Sequence, residues 1–334
     1  MIDTHTLNRT LISSLQKDNS LGLAQGKMGA CLYFYVLSRK LNYPEYQDVA
    51  LKLLNDIFIN IQKVSSIDVK NGLAGIGLGI TFLVKEGYTQ GNLNDVLGDI
   101  DDIIFKQLSY SKYSDKFDLP SLIHLTYYLQ TRLKEQKQGS ENEYLFKELV
   151  IQTINNLYEK IDTKLYQESL IYTIDNPLSQ FLYLLSILYD LSFYNYRLIK
   201  IIEEISYSVL SIIPISHANR LYLLWGMNAL NSRINNQNWY KHILLLRNNI
   251  DVNYMLAHEL KDKNIFFNNG VTSIHCLLKS LRNYFTDEDL KLYEQKIRKK
   301  IEESSIWASL LNENEYFETY KGLYGGYCSI PLIF

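Results

Sequence analysis

Apolar residues along this chain alternate between two kinds of segment. The first kind is amphipathic. From Tyr43 to Val69, Val49, Leu53, Ile57 and Ile61 recur at i, i+4 with Gln47, Lys52, Asp56 and Lys63 between them, which predicts a helix with one wet face. Similar segments run from Leu93 to Gln107, Glu143 to Lys160, Tyr194 to Ile212, Trp239 to Asn249 and Asp287 to Ser304. The second kind is apolar for most of its length and follows a short turn, as a helix buried on most sides should. Seven such turns are AQGKMGACLYFYVL from Ala24, KNGLAGIGLGITFLV from Lys70, FDLPSLIHLTYYL from Phe117, DNPLSQFLYLLSIL from Asp175, ANRLYLLWGMNAL from Ala218, NNGVTSIHCLLKSL from Asn268 and YKGLYGGYCSI from Tyr320.

Aligning Gly26, Gly72, Leu119, Pro177, Arg220, Gly270 and Gly322 gives spacings of 46, 47, 58, 43, 50 and 52 residues. A near-constant period of this size marks a repeat architecture. Each repeat is an outer, half-exposed helix followed by an inner, buried one, and Gly at the turn supplies positive φ or close backbone approach. An open solenoid needs an atypical capping repeat at each end. Here the first and last turns are among the most regular, so the pattern favours closure into an all-α, double-layered ring of seven helical hairpins.

Composition adds boundaries. With 47% hydrophobic and 21% charged residues, only five prolines and no Gly/Ser/Pro-rich linker, residues 1–334 read as a single helical domain. A net charge of −2 with both signs interspersed gives no footprint for nucleic acid or an anionic membrane. The basic run from Lys296 to Lys300 precedes Glu302 and Glu303 and reads as a solvated helix face. No stretch reaches transmembrane length without polar breaks, and no apolar N-terminal run follows a basic start, so a cytoplasmic protein is expected. Three cysteines, Cys31, Cys276 and Cys328, show no CxxC spacing and argue against a disulfide framework. The 27 tyrosines exceed what composition alone explains.

The turns GLAQGKMGACLYFYVLSR, NGLAGIGLGITFLV and YKGLYGGY resemble the Gly-rich repeats of the LanC-like family, the lanthionine synthetase C proteins. The resemblance spans the chain, although the third, fourth and fifth turns have lost their glycines. It implies an α/α toroid of two concentric seven-helix layers. It also implies zinc, which catalytic members hold through a Cys in the fifth turn and a CHG triplet in the sixth to activate a peptide thiol for addition to a dehydroamino acid. Here the sixth turn reads Asn268-Asn269-Gly270 and the fifth His217-Ala218-Asn219-Arg220. Carboxamides are poor zinc ligands beside thiolate and imidazole, so no cofactor is expected unless zinc has a relocated site. Cys276 and Cys328, each six residues after an aligned glycine, with His275 beside the first, are the residues that could build one; the plainer reading is small core residues.

In a toroid, the residues just before each inner helix gather at one opening. That places Gln25, Lys27, Asn71, Asp175, Asn219, Asn268, Asn269, Tyr320 and Lys321 as candidate ligand-binding residues, and His217, Arg220 and Asp118 as candidate acid–base groups. Some of the set serves as helix caps, for which Asn71, Asp118, Asn176 and Asn269 suit. His5, His124, His242 and His258 have no partner legible in the sequence. GIGLG from Gly75 to Gly79 lacks the preceding strand and the Lys of a phosphate loop and reads as close helix packing. Three functions follow. The first is a zinc-free LanC-like pseudoenzyme of a lanthipeptide or related peptide-maturation pathway that binds a peptide or a partner enzyme. The second is an active thioether cyclase, or other peptide-modifying enzyme, with a non-standard site. The third is a glycan-acting toroid enzyme using Asp118 and Asp175 as paired carboxylates.

Overall fold

The computed structural model describes residues 4–109, 117–161 and 171–333, and every regular element among them is helical. Among these residues, seven inner helices span Lys27–Leu41, Leu73–Lys85, Leu119–Leu133, Pro177–Tyr189, His217–Ile234, Val271–Ser280 and Ser329–Ile333. Each packs on the next, and the seventh packs back on the first, so the ring is closed. Outside it lie His5–Leu15, Pro44–Asn60, Leu93–Ser109, Glu141–Lys160, Asn195–Val209, Gln237–Asn248 and Asp287–Glu302. The repeat pattern does not announce the first of these outer helices, although Leu7, Leu11 and Leu15 recur at i, i+4 and are all buried. Buried apolar side chains from Leu7 to Ile330 form one cluster.

The turn glycines work by close approach. Gly26, Gly72 and Gly270 have negative φ, and a Cβ on any of them would fall 2.4–2.5 Å from backbone atoms of the preceding loop. The loop then folds back so that the amide after the glycine donates to the carbonyl seven residues earlier: Lys27 to Ser20, Leu73 to Ser66 and Val271 to Asn264, all at 2.9 Å. In the seventh turn the same bond runs from Tyr327 to Tyr320, at 2.7 Å, so the equivalent glycine is Gly326 and the alignment on Gly322 is corrected by four residues.

Turns without glycine use side-chain caps. Asp118 accepts from the Ser121 amide (3.0 Å), Asn176 from Leu178 (3.1 Å) and Ser216 from Asn219 (3.1 Å), each filling one of the donors a helix start leaves open. The fifth inner helix therefore begins at His217, and Arg220 lies inside its first turn instead of at a glycine position. Asn71 and Asn269, expected as caps, each precede a glycine that occupies the cap position. GIGLG lies within the second inner helix, where Gly77 faces Tyr128 and Gly79 faces Met28 at distances that leave no room for a Cβ.

An asparagine stands at the centre of the ring closure. Asn8, fully buried on the first outer helix, accepts from the phenols of Tyr33 (2.6 Å) and Tyr327 (2.8 Å) and donates to that of Tyr46 (2.9 Å). It thereby links the first inner helix, the second outer helix and the seventh turn. Lys321 adds an ion pair to Asp18 (3.0 Å) across the same seam, and Glu318, paired with Lys321 on its own side (2.9 Å), accepts from Ser14 Oγ (2.6 Å) across it. Replacing a buried hydrogen-bonding group strands its partners at about 1–3 kcal/mol each. Asn8→Leu is expected to cost about 3 kcal/mol in urea unfolding, while Asn312→Leu on the exposed surface changes stability by less than about 0.5 kcal/mol.

Candidate functional site at the mouth of the ring

Where the inner helices begin, the residues two before each helix cap are joined edge to edge through their backbones. The Ala24 amide donates to Lys70 (2.7 Å), Tyr324 to Ala24 (3.0 Å), Asn268 to Tyr324 (3.0 Å) and Ile174 to Asn268 (2.9 Å). This collar passes through the second, first, seventh, sixth and fourth turns. It bypasses the fifth, where Pro214 stands at the corresponding place and has no N–H to give. The third turn's corresponding residue, Lys116, lies outside the described residues. To reach the sixth turn, the segment before the fourth inner helix crosses the fifth. Buried Tyr172 donates to Ser273 Oγ (2.9 Å), Thr173 Oγ1 donates to the Asn268 carbonyl (3.1 Å), and Tyr222 of the fifth inner helix donates to the Ile174 carbonyl (2.7 Å).

Two clefts open beside the collar. One, of about 400 Å³, lies between the second, third and fourth turns and is lined by Lys70, Asn71, Asp118, Ser121, His124 and Asp175 among others. Lys70 Nζ sits 3.0 Å from both Asp175 carboxylate oxygens and 4.7 Å from the ring centre of Tyr324. Hydrogen bonding from Ser121 holds the Asp118 carboxyl below the usual carboxylate range. Burial holds the His124 imidazole below its usual pKa, with Lys70 acting in the same direction and Gln180, Asp175 and Asp118 opposing. The other cleft, of about 760 Å³, lies between the fifth and sixth turns and includes Tyr172, Ser216, Glu259, Asn264 and Asn269. Glu259 ends a π-helical turn, Met255–Glu259, and its two oxygens accept the His217 (2.7 Å) and Ala218 (2.9 Å) amides at the start of the fifth inner helix.

The predicted residues divide accordingly. Asn71, Asp118 and Asp175 meet in the first cleft, and Asn269 lines the second. Lys27 turns to the outer layer and pairs with Asp56, Lys321 belongs to the seam, and Tyr320 stacks on Phe266 with ring centres 5.6 Å apart. Gln25 is exposed and packs against Gly322. Asn219 is buried, its amide serving the Ser216 cap. His217 Nδ1 accepts from the Asp251 amide (3.0 Å), facing an outer loop. Arg220 donates to the carbonyls of Pro214 (2.5 Å), Asn249 (2.6 Å) and Ile215 (2.9 Å), while the turn acid Asp175 pairs with Lys70 instead. Sequence reasoning misses Lys70, His124, Gln180 and Glu259 as site residues. Lys70 and His124 stand inside the turn motifs, whereas Glu259 carries no signal.

Among the described residues, the buried Asn268 Oδ1 has no hydrogen-bond partner. Among the described residues, no three His, Cys, Asp or Glu side chains are grouped to hold a metal. Cys328 lies two residues after Gly326, so it does not share the depth of Cys276. Cys31 donates to the Ala50 carbonyl of the outer layer (3.4 Å), and burial raises all three thiols, Cys276 to about 11. His275 is buried beside Lys279, Glu294 and Arg298, and burial pushes its imidazole down to about 4.

No sequence-family profile and no curated protein sequence matches the chain. Among solved structures, nisin cyclase is similar, with a TM-score of 0.62 at 14% identity over 99% of this chain and 92% of that one. That likeness establishes the α/α-toroid fold, a LanC-like fold. No helix among the described residues is long and apolar enough to cross a membrane.

Because Arg220 is satisfied by three carbonyls of its own chain, its loss should register as stability. Arg220→Ala is expected to lower unfolding free energy by about 2 kcal/mol in chemical denaturation, the scale of charge-assisted hydrogen bonds, and to leave the affinity of any bound peptide unchanged.

Proposed function

We propose that this protein is a LanC-like toroid that binds a peptide at its mouth during lanthipeptide-type maturation, without zinc chemistry of its own. The observation that carries the reading is the placement of Asn268. Its backbone is a link of the collar, and its side-chain oxygen lies buried and unpaired where a metal-holding relative would present sulfur. Site residues, not the fold, decide activity. The two clefts flanking the collar supply peptide-sized concavity with convergent polar groups. The likeness to nisin cyclase supports a peptide as the natural occupant.

The glycan-acting reading gains one observation, since Asp118 and Asp175 line the same cleft. It loses on chemistry. A general acid needs a carboxyl with a raised pKa, whereas Asp118 is held low by its cap bonds and Asp175 is tied to Lys70.

Protein purified without chelator is expected to contain far less than equimolar zinc by elemental analysis, and calorimetry with a lanthipeptide precursor peptide should give the same affinity with and without EDTA. Equimolar zinc, or binding that disappears with EDTA, would refute the zinc-free reading.

A further inference from the structure

At the end of the ring opposite the mouth, where the first and second inner helices stop, a cavity of about 230 Å³ is walled by Tyr35, Ser38, Arg39, Asn42, Tyr43 and Tyr88 among others. Local sequence builds it. Tyr35, Ser38, Arg39 and Asn42 fall at i, i+3, i+4 and i+7 along one face of the first inner helix. Asn42, with φ 53°, and Gly87, with φ 68°, end their helices in the left-handed conformation that these residue types tolerate. The next amide of each bonds back, Tyr43 to the Ser38 carbonyl (3.0 Å) and Tyr88 to that of Leu83 (2.8 Å). Both chain reversals therefore carry a tyrosine to the cavity wall.

The lining holds one charge, and it is positive. The Arg39 guanidinium carbon lies 3.6 Å from the ring centre of Tyr88, and one terminal nitrogen donates to the Glu86 carbonyl (2.8 Å). Those two contacts orient the planar fork, whose remaining N–H groups have no partner among the described residues. Glu45, Asp48 and Glu86 adjoin lining residues in sequence, but none of them lines the cavity, and Glu45 accepts from the Tyr43 hydroxyl (2.8 Å). One turn before Arg39 stands Tyr35, only 3% exposed, whose hydroxyl has no partner among the described residues and is not sealed from solvent. Burial, with Cys31 adding to it, pushes that phenol up to about 12, so at neutral pH it keeps its hydrogen to donate. An unpaired guanidinium beside a buried, open donor is the complement of an acceptor that carries negative charge.

We propose that this cavity binds a small oxyanion, a carboxylate or phosphate group, held by the Arg39 fork with the Tyr35 hydroxyl as the second donor. Its volume lies below the about 300–1,000 Å³ of sites for larger organic ligands, which limits the occupant to a small one. The inference is independent of the peptide reading, because the cavity shares no residue with the collar or its clefts.

NMR titration of the ¹⁵N-labelled full-length protein, at neutral pH and constant ionic strength, tests it with inorganic phosphate, acetate, neutral acetamide and chloride. Phosphate or acetate is expected to move the amide signals of Asn42, Gly87 and Tyr88 to saturation, the tighter of the two identifying the oxyanion, while acetamide and chloride leave them in place. Arg39→Gln should abolish the response. Tyr35→Phe, which keeps the ring, should weaken binding about five-fold, the worth of one hydrogen bond. No saturable shift with either oxyanion, an equal shift with chloride, or unchanged affinity in either variant would overturn the inference. Failure of the peptide reading would look different: no precursor binding, with the oxyanion response intact.

Discussion

Closing a ring of seven helical pairs requires that the two ends of the chain meet, and in this protein a buried carboxamide stands at the centre of that meeting. Asn8 gathers three tyrosine hydroxyls from three different elements, all withdrawn from water. A buried phenol without a partner is costly, so the seam is stable only when the first outer helix, the first inner helix and the seventh turn are all in place. This arrangement also accounts for part of the high tyrosine content. Tyr128 on Asp101, Tyr172 on Ser273, Tyr222 on Ile174 and Tyr284 on Asn228 follow the same pattern, an aromatic body in the core with its hydroxyl given to a neighbouring element.

Closure in turn fixes the mouth. Once the seventh turn lies beside the first, the amide of Tyr324 reaches Ala24, and the collar continues through Asn268 to Ile174. The mouth is held by backbone hydrogen bonds and by side chains that serve them, as Gln180 and Tyr222 both serve the Ile174 carbonyl. Among the described residues, groups left over from this task are few. They include the Asn268 oxygen and the Tyr324 hydroxyl, both without a hydrogen-bond partner, the Lys70–Asp175 pair, Asp118 beyond its capping bond, and His124 Nδ1. They lie in or beside the clefts, which is why the functional reading is confined to that end of the ring.

The fold is legible wherever only one residue type can satisfy the backbone. Gly26, Gly72 and Gly270 stand where a Cβ would collide with the preceding loop, and they mark their turns to the residue. Where a capping side chain replaces glycine, the register drifts: by one residue at Asp118 and Asn176, and by four at Ser216, because Ser, Asp and Asn cap helices in many contexts and carry no fixed alignment. The seventh turn offers Gly322, Gly325 and Gly326, and only the Tyr327-to-Tyr320 bond distinguishes among them. The site is less legible. Asn71, Asp118 and Asp175 follow from their positions before inner helices, but the same rule sweeps in Lys27 and Lys321, whose long side chains reach back to the outer layer and the seam. His124 escapes that rule because it stands inside its helix, one turn beyond the positions before the cap, and its partner Gln180 is 56 residues away.

The central claim is that the mouth is held by its own backbone and does not need a metal. Native-state hydrogen exchange of the collar amides of Ala24, Asn268, Ile174 and Tyr324, measured with EDTA and again with added zinc, tests it most directly. The account predicts exchange as slow as that of the inner helices in EDTA, unchanged by zinc. Fast exchange in EDTA that slows when zinc is added would contradict it.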